Sequence, residues 1–400
     1  MTEALALTPP SALSPPPPPS PPPSPPAADI DVLTSDCLRV VLEHCHPSTL
    51  RSTSSVSHTM GKESRAAMCS PTWRTRHLAD VQLEAWLCGA YVPRKISEAR
   101  VSPPCTGLGS MAVDVRGEWI VAAGQSMSAT VWRITSLGPC QHVHTLAHDS
   151  AVTCSALQLQ PGGCLLATAC RSGFLRLWDL PSGKLTQTID AHSDEITPTD
   201  VFGLVWTGVN TLLSAGVDGT LQQWSTVGKA ECVLARLDAN ACAALAYDGA
   251  LGLVASPQRD YSVALLDEGT LACRRRLLGH SRPILTVAIG DESVACAGMG
   301  GSIRVWNATT GQCTCTFEYK SAGTFAVRLI GNELLLSGGC GETCVRVWGL
   351  RRGKLIARLN RPNGGAGSVC ALAAHRSELG AFVLSGDNAT NAPQLWEAVC

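Results

Sequence analysis

The sequence predicts an all-β fold, a seven-bladed β-propeller, in residues 105–400. A short apolar stretch recurs seven times there, and each recurrence ends at a tryptophan or, once, at a leucine. The ending residues are Trp132, Trp178, Trp224, Leu266, Trp306, Trp348 and Trp396. Successive endings are 40 to 48 residues apart, and a repeat of about 40–45 residues is typical of one four-stranded propeller blade.

Alternation and turn residues predict the strands inside each repeat. Leu175 and Leu177 flank Arg176, which is the period of two expected for a strand with two different faces. Turns of small residues, such as residues 217–219, precede these strands, and an apolar stretch such as residues 211–215 precedes each turn. Glycine and aspartate supply the backbone conformations that a tight hairpin needs. Each repeat therefore contains adjacent strands joined by hairpins.

One repeat carries a specific set of four residues: His192, Ser214, Asp218 and Trp224. The set resembles the buried polar ladder of WD-repeat blades. The resemblance implies that these side chains hydrogen-bond through the blade and have a structural role, not a catalytic one. Partial sets occur elsewhere: His148, Thr168 and Trp178 with Ser172 in place of the aspartate, and His280 and Trp306 with Cys296 and Gly300 in the other places.

Composition narrows the function classes. The net charge of −1 gives no reason to expect nucleic acid or an acidic membrane as a partner. The 19 cysteines lack the paired spacing of zinc sites, which favours thiols in a reducing compartment, the cytoplasm and/or the nucleus, and no metal or other cofactor. We expect neither a secretory signal nor a membrane span.

The first 28 residues differ from the rest of the chain. Twelve of the 25 prolines lie within the first 26 residues, and such a tract is typical of a disordered polyproline II segment. It is either a ligand for an SH3 or WW module or a tail without a specific role.

Residues 31–78 predict three short amphipathic helices. In the first, Leu38, Val41 and Leu42 form one apolar stripe, and Pro47 ends the helical stretch. Three helices of this length bury their apolar faces poorly alone, so we expect a partner.

This block resembles an F-box, the helical module that docks onto the Skp-type adaptor of cullin–RING ubiquitin ligases. Thr34 and Met60 stand where that family prefers proline and tryptophan. An F-box ahead of a propeller is the order of F-box/WD-repeat proteins. The resemblance implies that the adaptor is bound by the matching residues, Leu33, Leu38, Val41, Leu42, Pro47, Leu50 and Val56. The alternative is a helical extension that packs on the propeller.

Residues 79–104 predict a linker helix followed by a strand. The last repeat ends at Trp396, with four residues after it, so its outer strand has to come from elsewhere. We expect residues 95–101 to supply that strand and to close the ring, because an open sheet edge invites aggregation.

Arginines in the loops are the candidate substrate-binding residues. Arg171 and Arg259 each lie seven residues before the end of their repeat, and Arg282 follows the turn at His280. F-box/WD-repeat receptors hold phosphate with arginines at such turns, since a guanidinium group matches phosphate oxygens bidentately. The alternative is ordinary solvated surface arginine.

The favoured function is that of a substrate-recognition subunit of a Skp–cullin–F-box ubiquitin ligase. Its expected partners are the adaptor, the cullin and a substrate protein carrying a phosphorylated or acidic segment. The alternative is a WD-repeat scaffold of another multiprotein complex. An enzyme is disfavoured, because the sequence has no phosphate-binding loop, metal-ligand cluster or serine-nucleophile motif.

Overall fold

The computed structural model of this chain describes residues 91–94, 110–135, 139–192, 199–237, 244–318, 322–360, 368–377, 380–387 and 393–398. The predicted tail (1–28) and helical module (31–78) lie outside the described residues, as does the predicted linker helix. The described part contains strands and turns and no helix, so it has no helix that could cross a membrane.

The described strands form seven four-stranded antiparallel sheets. Blade 1 consists of β2 (Ser110–Arg116), β3 (Trp119–Gly124), β4 (Ser128–Arg133) and β5 (Gln141–Ala147). Blade 2 consists of β6 (Val152–Gln160), β7 (Gly163–Cys170), β8 (Phe174–Asp179) and β9 (Lys184–Asp190). Blade 3 consists of β10 (Val201–Gly208), β11 (Thr211–Gly216), β12 (Thr220–Ser225) and β13 (Glu231–Leu237).

The second half of the ring repeats this arrangement. Blade 4 consists of β14 (Ala246–Asp248), β15 (Leu253–Pro257), β16 (Val263–Asp267) and β17 (Cys273–Leu277). Blade 5 consists of β18 (Ile284–Gly290), β19 (Ser293–Gly298), β20 (Ser302–Asn307) and β21 (Cys313–Glu318). Blade 6 consists of β22 (Thr324–Ile330), β23 (Leu334–Gly339), β24 (Cys344–Gly349) and β25 (Lys354–Asn360). Blade 7 consists of β26 (Val369–Ser377), β27 (Gly380–Asp387), β28 (Gln394–Ala398) and β1 (Tyr91–Arg94).

The first strands of successive blades contact one another around a closed ring, in which β2 touches both β6 and β26. Seven hydrophobic clusters fill the spaces between neighbouring blades. The seven repeat-ending residues all lie in third strands and are at most 7% exposed. Leu266, at 0% exposure, takes the tryptophan position in blade 4. The predicted seven-bladed propeller is confirmed.

The strand that closes the ring differs from the predicted one. β1 pairs antiparallel with β28, with Tyr91 opposite Ala398 and Arg94 opposite Leu395. We expected residues 95–101 in this place, and that position was wrong, since the closing strand ends at Arg94. Pro93 is tolerated because β1 is the outermost strand of its sheet, where one row of backbone donors needs no partner.

Candidate interaction face of the propeller

Two kinds of loop meet at one end of the blades. Because the four strands of a blade are antiparallel, the hairpin between its second and third strands lies at the end where the first strand begins. The fourth strand finishes at that same end and leads into the next blade. Backbone hydrogen bonds join the two kinds of loop, for example from Val217 N to Asp200 O at 2.9 Å and from Met299 N to Pro283 O at 3.0 Å. We call this end of the ring the hairpin face.

The structure places all three predicted arginines on the hairpin face. Arg171 is exposed, and its Nε atom lies 3.8 Å from Oδ2 of Asp200. Arg259 is exposed and donates a 3.4 Å hydrogen bond from Nη2 to the Val217 carbonyl of the neighbouring blade. Arg282 is also exposed and lies against the next hairpin. A role of these side chains in substrate binding stays a prediction.

Exposed apolar side chains share this face, and sequence reasoning missed them. They are Met127 (54% exposed), Val217 (43%), Tyr261 (38%), Leu278 (70%) and Met299 (47%). Met127 and Tyr261 have φ values of 51° and 66°, a conformation that is costly for a bulky residue. The available signal was the absence of glycine from these two hairpins. Arginine among methionine and aromatic side chains is the composition of protein–protein interfaces.

The four ladder residues of blade 3 form one hydrogen-bonded chain. Nδ1 of His192 lies 2.9 Å from Oδ2 of Asp218, and its Nε2 lies 2.8 Å from Oγ of Ser214. Nε1 of Trp224 donates to the same Oγ at 3.0 Å. Although burial acts to raise the pKa of Asp218, hydrogen bonds from His192 and Thr220 hold that pKa below its ordinary value. The chain fixes the hairpin relative to the loop before the blade.

Gly216 makes room for this ladder. A Cβ atom on Gly216 would lie 2.5 Å from Nδ1 of His192. In blade 4 the corresponding residue is Gln258, which is fully buried, and its Nε2 lies 3.3 Å from Oγ of Ser256. The glutamine therefore fills the space that histidine occupies in blade 3. Its replacement of the lost histidine is a second feature that sequence reasoning missed.

The histidines of blades 2 and 5 are held in the neutral form. Nε2 of His148 lies 2.9 Å from Oγ1 of Thr168, to which Trp178 donates at 3.0 Å. Burial lowers the pKa of His148 to about 4, and burial together with the charge of Arg304 lowers that of His280 to about 4. Neutral, half-buried imidazoles beside tryptophan rings belong to the framework of the blades.

The propeller has two further concave regions. One is an axial cavity of about 120 Å³ lined by first strands around the ring, including Phe202 and Phe325. The other is a groove of about 750 Å³ between blades 1 and 2 at the end opposite the hairpin face, lined by Trp119 and Arg133. Among the described residues, no group of histidine, cysteine, aspartate and glutamate side chains is arranged to hold a metal ion.

The predicted adaptor-binding residues lie outside the part of the chain that the structure describes. They are Leu33, Leu38, Val41, Leu42, Pro47, Leu50 and Val56. Their role stays a prediction from the sequence.

Residues 140–179, which include blade 2 up to the end of β8, match the family model "WD domain, G-beta repeat" (WD40). The chain carries a WD40 repeat domain. The match covers one repeat, and the six other blades follow from the topology of the sheets.

Comparison with curated proteins finds distant relatives, one of which has WD repeat in its name. The chain is 33% identical to the mouse "F-box/WD repeat-containing protein 4" over 116 residues, 28% of this chain and 27% of that protein. It is 24% identical to the bovine "Transducin beta-like protein 3" over 291 residues, 68% of this chain and 35% of that protein. The match to the Caenorhabditis elegans "Periodic tryptophan protein 2 homolog" is 23% identical over 54% of this chain and 23% of that protein. The chain thus spans about a third or less of the length of these relatives.

Proposed function

We propose that this WD-repeat protein is the substrate-recognition subunit of a Skp–cullin–F-box ubiquitin ligase. The observation that carries the proposal is the order of its parts: an F-box-like block at residues 31–78 precedes a closed seven-bladed WD40 propeller. The partial similarity to an F-box/WD repeat-containing protein supports it.

The F-box-like block would bind the adaptor through apolar side chains. Leu38, Val41 and Leu42 share one stripe of the predicted first helix. Such a stripe needs an apolar partner, and the groove of a Skp-type adaptor would supply one. In this proposal the block connects the propeller to the cullin.

The hairpin face would bind the substrate protein. Arg259 and Arg282 form no ion pair with a described carboxylate, and Arg171 has only the 3.8 Å contact with Asp200. Exposed guanidinium groups without a close carboxylate can bind the oxygen atoms of phosphorylated or acidic segments. The exposed apolar side chains beside them would add the buried area that a stable protein complex requires.

Adaptor binding is tested with charge-introducing variants. Leu38→Asp or Val41→Asp should abolish co-purification with a Skp-type adaptor, because an unpaired carboxylate cannot be buried in an apolar interface. Deletion of residues 31–78 should do the same, and all three variants should leave the thermal unfolding of the propeller unchanged. Adaptor binding that survives the deletion would rule the proposal out.

Substrate binding is tested by charge reversal on the hairpin face. Arg171→Glu combined with Arg259→Glu should abolish capture of the substrate protein while adaptor binding stays intact. Lys184→Glu, at the exposed start of β9 and at the other end of the blades, is the matched control and should bind normally. Equal substrate capture by the reversed and control variants would leave the substrate surface unassigned.

The second candidate is a WD-repeat scaffold of another multiprotein complex. The observation in its favour is that the longer matches, such as the one to Transducin beta-like protein 3, are to proteins without F-box in their names. A chain that binds no Skp-type adaptor and co-purifies with a different defined assembly would favour the scaffold.

A further inference from the structure

An arginine of blade 5 differs from its counterpart in blade 2. The pairing register is the same in the two blades: Val152 lies opposite Cys170 and Thr168 opposite Arg176, while Ile284 lies opposite Gly298 and Cys296 opposite Arg304. Arg304 is therefore the counterpart of Arg176. Counting back from the first strands, Ser281 is the counterpart of Asp149.

Blade 2 neutralises its arginine internally. Nη1 of Arg176 donates to Oδ1 of Asp149 at 3.0 Å, and Nη2 donates to Oδ2 at 2.7 Å. The pair is bidentate, and the hydrogen bond from Arg176 lowers the pKa of Asp149. Blade 6 does the same by another route, since Arg346 at the corresponding position pairs with Glu342 of its own hairpin. Two blades with this arginine thus supply a carboxylate for it.

Blade 5 supplies none. Ser281 stands where blade 2 has its aspartate, and among the described residues Arg304 makes neither a hydrogen bond nor an ion pair. Its Nε atom is buried without an acceptor. Glu318, on the adjoining strand, lies opposite Ser302 and forms no ion pair with Arg304. A buried guanidinium N–H without an acceptor is costly, which points to an acceptor that comes from outside the blade.

A second arginine, Arg282, lies in the loop that carries Ser281, and a glycine borders the guanidinium group of Arg304. Nη1 of Arg304 would be 3.1 Å from a Cβ atom on Gly279, where blade 2 has Ala147. Arg282 follows Ser281 directly and packs against the hairpin, with its Cδ 2.8 Å from the position of a Cβ on Gly300. Burial and the charge of Arg304 keep His280 neutral, so the positive charge of this loop region comes from Arg282 and Arg304.

We propose that blade 5 carries an oxyanion-binding site, in which Arg304, Arg282 and the Ser281 hydroxyl receive a phosphate group in place of the carboxylate that blade 2 supplies itself. The planar guanidinium group of Arg304 would bind two phosphate oxygens, as Arg176 binds the two oxygens of Asp149. The site binds the phosphate group whether it is a free ion or is carried on a side chain.

The test measures thermal unfolding and calorimetric binding of the full chain with inorganic phosphate and, separately, with O-phospho-L-serine. Sodium chloride at the same ionic strength is the reference. We expect either phosphate compound to raise the unfolding midpoint above the chloride value, because a ligand of the folded state stabilises it. Arg304→Gln should remove the difference, and Arg133→Gln, on the opposite face, should keep it. Tighter binding of O-phospho-L-serine would show that a phosphorylated side chain is preferred to the free ion.

Ser281→Asp provides a test that does not require removal of a buried side chain. It restores the carboxylate of blade 2, so it should raise the unfolding midpoint in chloride and weaken phosphate binding at least about tenfold. The reciprocal change Asp149→Ser should give blade 2 a phosphate response through Arg176. Equal phosphate affinity of wild type and Ser281→Asp would overturn the site, as would a wild type that responds alike to phosphate and chloride. These variants leave the predicted adaptor-binding residues intact, so their failure is separate from that of the proposed ligase function.

Discussion

Trp224 joins packing and hydrogen bonding in a single side chain. It is 6% exposed, and its Nε1 shares the hydroxyl of Ser214 with His192. Trp224→Ala should lower the free energy of unfolding by about 3–5 kcal/mol, because the change leaves a cavity and breaks the hydrogen bond that the indole donates. Urea unfolding measures the loss, and Val209→Ala at an exposed turn should cost little. A loss as small as that of the control would mean that the ladder contributes little to stability.

Two half-buried histidines should make stability depend on pH. The folded-state pKa values of His148 and His280 are about 4, against an ordinary value of 6.5. Between these pH values the unfolded chain binds more protons than the folded one, so stability is lost as pH falls from 6.5 towards 4. Paired carboxylates such as Asp149, whose pKa is lowered, lose their stabilising effect mainly below this pH window.

Urea unfolding of wild type and of His148→Gln/His280→Gln at pH 7 and pH 5 measures the effect. The wild type should lose more free energy of unfolding between the two pH values than the double variant does. Equal losses would show that other groups control the acid response.

At the scale of the element, β1 should determine how well the ring is closed. A chain that begins at residue 89 retains β1 and should unfold at a higher temperature and remain more soluble than one that begins at residue 95. Without β1, the strand β28 presents an unpaired edge. Thermal unfolding and light scattering compare the two chains, and identical behaviour would count against closure by β1.

The spacing of the repeat endings was sufficient to predict the blades, because each ending is a buried residue of a third strand. The closing strand was predicted a few residues too late: it is Tyr91–Arg94, and its Pro93 is tolerated at the edge of the sheet. Gln258 and Arg304 were not recognised for another reason. Their roles become visible only when the loop before the first strand is compared between blades and found to lack a histidine or an aspartate. That comparison is difficult from sequence because the loops differ in length: His192 lies nine residues before β10, while His280 lies four before β18.

At the scale of the whole molecule, we propose that residues 31–78 bind the adaptor and that the hairpin face binds the partner protein. The fold of the propeller alone does not identify its partners, because one fold can carry many different binding functions. The arginines and exposed apolar side chains of the hairpin face can serve a ligase substrate or a scaffold partner equally well. Adaptor binding therefore separates the two candidate functions.

The most direct test of the proposed function is the affinity of the purified full chain for a purified Skp-type adaptor, measured by isothermal titration calorimetry. We expect a one-to-one complex with a Kd of about 1 μM or tighter. Leu38→Asp should abolish this complex, and Arg171→Glu should leave its affinity unchanged. An absence of binding at adaptor concentrations of about 100 μM, with the propeller folded, would contradict the ubiquitin-ligase assignment and favour the scaffold.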